Sequence, residues 1–134
     1  MEENWSTGKL LSTGPYITAY GDTLSSGNLQ GGEGILKKYH HNQQLQEELT
    51  YKNGLKNGLA KLYTDKGDLA AEGQYVNDKK EGLWKFYHSN GNVESQGNYK
   101  DDEPEGLWIF FNRSGTAIDK KDYTKLKKLE ESLD

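Results

Sequence analysis

Cysteine is absent from this chain of 134 residues, which removes disulfides and thiolate metal sites and leaves the redox compartment open. Apolar residues are scarce as well: they make up 32% of the sequence and mean hydropathy is -1.01, little material for the single closed core expected of such a length. No stretch approaches the roughly 20 apolar residues of a membrane span. The opening MEENWSTGKLL has no basic segment leading into an apolar one, so the chain as given is expected to be soluble and cytoplasmic, or secreted or periplasmic if a signal sequence was removed before Met1. A net charge of -4 with pI near 5.4, spread over interspersed lysines and acids, provides no drive toward nucleic acid.

What the chain does have is 16 glycines, 9 tyrosines, 3 tryptophans and 3 phenylalanines. Disordered chains are not built this way, whereas elongated sheets whose units pack only on their neighbours are. Gly34, Gly58, Gly82 and Gly106 recur every 24 residues, and other columns follow in phase. Ile35, Leu59, Leu83 and Leu107 come next, then an aromatic at Tyr39, Tyr63, Tyr87 and Phe111. Turn glycines stand at Gly67, Gly91 and Gly115, with Gln43 as the first unit's departure. The column of Gly73 and Gly97 has Leu49 in the first unit, and each unit closes on a tyrosine at Tyr51, Tyr75, Tyr99 or Tyr123.

Each unit reads as one β-hairpin: β-prone, aromatic-rich Leu83 to His88, turn chemistry at Ser89-Asn90-Gly91, then a second strand from Val93 to Lys100. Only the third loop position demands glycine, which fits a three-residue loop of a type I turn plus a left-handed residue. Asn53-Gly54, Asn77-Asp78 and Asp101-Asp102 supply turns on the opposite edge. The predicted fold is all-β: an elongated single-layer antiparallel meander of tandem hairpins, capped by a C-terminal α-helix. With that loop Tyr87 faces Val93 and Leu83 faces Gly97, so Leu83, Tyr87, Val93, Ser95, Gly97 and Tyr99 are predicted to share one face. Trp84, Phe86, Trp108 and Phe110 then share the other with Glu94, Gln96 and Asn98.

Three regions are expected. Residues 1–33 hold a loosely ordered start and a degenerate capping hairpin, in which Gly27 to Gln30 mirrors Gly97 to Lys100 and residues 16–20 supply the partner strand. Residues 34–118 hold the four hairpins. In 119–134, Tyr123, Leu126, Leu129 or Glu130, and Leu133 recur at helical spacing, predicting an amphipathic helix over 120–133 that covers the last hairpin.

Units reading Gly-Leu-Trp-Lys-Phe-Tyr, then Asn-Gly, then Gly-Asn-Tyr-Lys-Asp resemble MORN repeats, especially the variant of bacterial YwqK-like antitoxin proteins. The resemblance covers about residues 34–118. It implies a hairpin-repeat fold and a role in binding proteins, in scaffolding or at lipid surfaces, with toxin neutralisation the association of the bacterial variant. The first unit departs from the pattern at Gln43 and Leu49 and places Glu47-Glu48 in its second strand, so its hairpin is expected to be distorted.

The search for catalytic chemistry finds no convergent set. His40 and His88 occupy one column two units apart, roughly 19 Å at sheet spacing, and His41 points away from His40, so packing is the plainer reading of all three. Asp101-Asp102-Glu103-Glu105 lacks the spacing of a calcium loop and is broken by Pro104. No nucleophile elbow or phosphate-cradling loop is present. No cofactor or metal is expected, and the chain is read as not an enzyme.

Two columns stand out. Lys37, Lys61 and Lys85 form a ladder in steps of roughly 10 Å, able to meet an acidic partner or phosphates, or simply to cover rings with their stems. Trp84, Phe86, Trp108 and Phe110, continued by Leu62, form an aromatic face that could anchor a partner or pack on the helix. The leading expectation is a non-enzymatic protein-binding module, an antitoxin or immunity protein in its most specific form, gripping another protein through Trp84, Phe86, Trp108, Phe110 and Leu62 with help from the lysines. The alternative is a structural or membrane-apposed scaffold that binds acidic partners or anionic headgroups.

Overall fold

A computed structural model describes residues 3–6, 9–13, 16–17, 23–24 and 26–124. Its strands are β1 (Glu3–Ser6), β2 (Lys9–Thr13), β3 (Tyr16–Ile17), β4 (Thr23–Leu24), β5 (Gly34–Tyr39), β6 (Leu45–Lys52), β7 (Leu55–Tyr63), β8 (Leu69–Val76), β9 (Lys79–Tyr87), β10 (Val93–Lys100), β11 (Glu103–Phe111) and β12 (Ala117–Asp122). Strands β5 to β12 form one 8-stranded sheet in chain order, an open antiparallel meander, as the 24-residue period predicts.

Local chemistry sets both kinds of turn. At the hairpin loops, the Gly91 N–H donates to the His88 carbonyl at 3.0 Å and the His88 N–H to the Asn92 carbonyl at 2.8 Å. This is the predicted three-residue loop, with Gly91 at φ 90. The first hairpin is not distorted, contrary to expectation: Gln43 takes the left-handed conformation itself, at φ 71, and makes the same bond to His40 at 2.9 Å. On the other edge, Asn77 and Asp78 lie at φ 49 and 71, and Asp101 and Asp102 at φ 49 and 70, the conformation of two-residue type I′ turns. Asn and Asp tolerate it better than other non-glycine residues. Each such turn is tied to the preceding one: the Asp78 N–H donates to the Lys56 carbonyl at 2.9 Å, and the Lys56 N–H donates to Asp78 Oδ1 at 2.7 Å.

The predicted face assignment is corrected. Tyr87 does pair with Val93, but a bulge between Val93 and Ser95 shifts the ladder by one residue, so Gly97 lies opposite Trp84 and Leu83 opposite Asn98. A slip of one residue exchanges faces. Ser95, Gly97 and Tyr99 therefore share their face with Trp84 and Phe86, and Leu83 lies with Gln96 and Asn98.

That aromatic face is the core. Along one column Leu36 is 0% exposed, Ala60 1%, Trp84 0% and Trp108 4%. The Trp84 indole lies over Gly73 and that of Trp108 over Gly97, and their Nε1–H groups donate to the Gln74 and Asn98 carbonyls at 3.0 and 3.1 Å. Tyr75, Trp84, Tyr99, Trp108 and Tyr123 follow one another edge to face, with centroids 5.1 to 6.2 Å apart. At roughly 25 cal/mol per Å² and roughly 200 Å² per ring, each buried indole contributes about 5 kcal/mol, comparable with the whole stability of a small domain.

The ends differ from expectation. Residues expected to be loosely ordered at the start include the antiparallel pair β1–β2. Tyr16–Ile17 pairs with Thr23–Leu24 and not with the segment at 27–30, which instead extends the sheet beside β5 through the Gly27–Leu36 bridge and buries Leu29. At the other end residues 120–122 belong to β12 rather than to a helix. Helical conformation begins at Tyr123–Thr124, and the rest of the predicted helix lies outside the described residues.

Candidate docking face

The second face of the sheet is built from the leucine column. Leu59 is 69% exposed, Leu83 49% and Leu107 52%. Their cross-strand neighbours are polar, Gln74 for Leu59, Asn98 for Leu83 and Asp122 for Leu107. The exposed leucines recur at one repeat position on every second strand, a regular row with a polar residue between successive members rather than the randomly scattered apolar residues normal for a surface.

Two residues further along the strands lies the lysine column. By register Lys37 faces Glu48, Glu48 faces Lys61, Lys61 faces Glu72, and Glu72 faces Lys85. The ladder expected as a positive stripe is thus a row of alternating sign. Between Leu59 and Leu83 an open depression of about 540 Å³ is lined also by Lys61, Glu72, Gln74 and Lys85. Glu72, which lines it, is tied to a neighbour: the Tyr87 hydroxyl donates to Glu72 Oε1 at 2.5 Å, and burial, followed by that bond, pushes the Tyr87 phenol up to about 12.

The structure does not bring the expected binding residues together. Lys37, Lys61 and Lys85 lie on the leucine face, whereas Trp84, Phe86, Trp108, Phe110 and Leu62 lie on the opposite one. Trp84 and Trp108 are buried, and Leu62 and Phe86 pack against the core. Lysines outside the ladder cover rings: Lys56 Nζ stands 5.0 Å from the Tyr75 centroid, Lys80 Nζ 5.0 and 5.5 Å from those of Tyr99 and Trp84, and Lys121 Nζ 5.7 Å from that of Phe110. Sequence reasoning missed the leucine column as a site because the predicted register put it among small residues. Its signal was present in the run Ile35, Leu59, Leu83, Leu107. His40 and His88 direct Nε2 to the carbonyls of Tyr63 and Phe111 at 2.9 and 2.8 Å, linking each hairpin loop to the next.

The repeat variant described as MORN matches residues 32–53, 56–77 and 80–101, three segments in the 24-residue phase. These units are MORN repeats. The fourth hairpin, β11–β12, lies outside the matched segments yet repeats the MORN geometry, with the same three-residue loop at Gly115. MORN repeats generally mediate protein or membrane binding. No curated protein and no solved structure matches the chain.

Proposed function

We propose that this chain is a non-enzymatic protein-binding module and that its docking surface is the leucine–lysine face of the sheet. The observation that carries the reading is the exposure of Leu59, Leu83 and Leu107 in one column, on the face opposite the buried rings. An apolar stripe rimmed by charge has the anatomy of a protein interface. The alternating Lys–Glu row favours a protein over an anionic membrane, because interleaved carboxylates cancel the attraction that a polybasic patch would exert on headgroups. In its finer form the partner is a toxin covered by occlusion. That part draws on the likeness of the units to the bacterial antitoxin variant, and on a broad, open surface suited to covering a partner rather than to gripping a peptide.

The test is affinity capture from the native cell with the wild-type chain and with a Leu59→Asp/Leu83→Asp variant, alongside flotation with anionic vesicles at low and high salt. Wild type should retain a protein partner that the variant loses, with no vesicle binding. Equal capture by both chains would remove the site. Salt-sensitive flotation lost on Lys61→Glu/Lys85→Glu would favour the membrane-apposed scaffold instead.

A further inference from the structure

Tyr75 and Tyr99 are each covered by an ammonium group of the chain itself. Lys56 lies opposite Tyr51 in the β6–β7 register and Lys80 opposite Tyr75 in β8–β9. Each reaches over the tyrosine that closes the next hairpin, Lys56 Nζ standing 5.0 Å from the Tyr75 centroid and Lys80 Nζ 5.0 Å from that of Tyr99. Position 104 is the next member of this lysine column, and it is proline. Pro104 lies opposite Tyr99 in the β10–β11 register, as the repeat prescribes. The ring it should cover is in place as well: Tyr123 meets Trp108 edge to face at 6.0 Å, as Tyr99 meets Trp84 at 6.2 Å. Among the described residues no cation stands over Tyr123.

The flanks of the column invert in charge at the same point, Lys79-Lys80-Glu81 becoming Glu103-Pro104-Glu105. A cavity of about 240 Å³ lies there, lined by Tyr123, Pro104, Asp101, Glu103 and Glu105, with Lys100 the basic member of its wall. An aromatic face attracts a cation held within roughly 6 Å of its centroid, and carboxylates in the wall strengthen that attraction. Two earlier units show the pairing made with a lysine; the third presents the ring and the acids without one.

We propose that this cavity is a binding site separate from the leucine face and that it takes a primary alkylammonium, the side chain of a lysine from a partner protein. The ammonium would stand over Tyr123 as Lys80 stands over Tyr99, with its methylenes along the Pro104 ring. A lysine is named rather than a free amine because a lysine side chain fills the equivalent place in both earlier units.

The full chain, with ring-labelled tyrosine, is titrated by NMR with a capped Gly-Gly-Lys-Gly-Gly peptide. The Tyr123 ring resonances should move saturably. The same peptide with its lysine Nε-acetylated has no charge and should bind at least about fivefold more weakly, and Pro104→Lys, which supplies the amine from the chain, should weaken the charged peptide by as much. Lys56 and Lys80 hold this position in folded units, so the circular dichroism of Pro104→Lys should match wild type; the comparison of the two peptides is made on the wild-type chain and does not depend on that variant. n-Butylammonium separates the sources. A site for a protein's lysine binds the peptide at least as tightly, whereas clear preference for the free amine overturns the partner named here. No movement of Tyr123, equal binding of charged and acetylated peptides, or undiminished binding by folded Pro104→Lys overturns the site itself.

Discussion

The indole of Trp84 lies across the backbone of Gly73, and the same relation joins Trp108 to Gly97. A methyl group added at either glycine would fall within the ring. Neither glycine has a left-handed φ, so space and not backbone freedom is the reason for it. Gly73→Ala is expected to destabilise by about 2 kcal/mol or more through overpacking. The midpoint of urea unfolding, with the m-value checked for constancy, reads the effect. A change within about 0.5 kcal/mol would mean that the indole can move aside.

Trp84→Ala and Leu83→Ala should separate core from surface at adjacent positions. The first removes a side chain that is 0% exposed and should cost about 3–5 kcal/mol. The second removes one that is 49% exposed and should change stability by no more than about 0.5 kcal/mol. Partner capture should respond the other way round, failing for Leu83→Asp in a chain that is still folded. Comparable stability losses at both positions would contradict the assignment of faces.

Gln43 occupies the loop position held by glycine in the later hairpins, at φ 71. Left-handed conformation costs a side-chain-bearing residue about 1–2 kcal/mol, partly offset by the greater chain entropy that glycine loses on folding. Gln43→Gly is therefore predicted to stabilise by about 0.5–1 kcal/mol, and Gln43→Ala to be close to neutral. Thermal unfolding of the two variants beside wild type checks the order.

Alkaline pH should loosen the sheet. Burial, and for Tyr87 the bond to Glu72, raise the phenols of Tyr51 and Tyr87 to about 12 from an unfolded value near 10. A raised folded pKa means that the protonated form is favoured by folding. The stabilisation is complete below pH of about 10 and is lost as pH rises toward about 12. Absorbance titration near 295 nm should show late-ionising tyrosines, and Tyr87→Phe should lack one of them.

How far the sequence foretold this structure depends on how local the determinant was. Turn chemistry is local: Ser89-Asn90-Gly91 and Asn77-Asp78 act on their own backbone, so hairpins, strand order and meander were all legible from the 24-residue period. The bulge between Val93 and Ser95 leaves no residue type behind, and missing it exchanged the faces of every second strand. A compensating clue lay in size. Tryptophan needs a neighbour without a side chain, and placing Trp84 and Trp108 among Ala71, Gly73, Ser95 and Gly97 would have corrected the register. The candidate site suffered from the same error: the lysine column was found, but its glutamate partners and exposed leucines were assigned elsewhere.

The bonds that tie each type I′ turn to the one before it have a consequence for the length of the molecule. Asp78 answers Lys56 and Asp102 answers Lys80 in the same manner. Excising residues 58–81 would therefore join Asn57 to Gly82 and leave Asp102 facing Lys56, an equivalent partner. The chain behaves as a ruler graduated in whole units, each gained or lost changing the reach of the leucine stripe by about 10 Å without disturbing the pattern on either side of the splice.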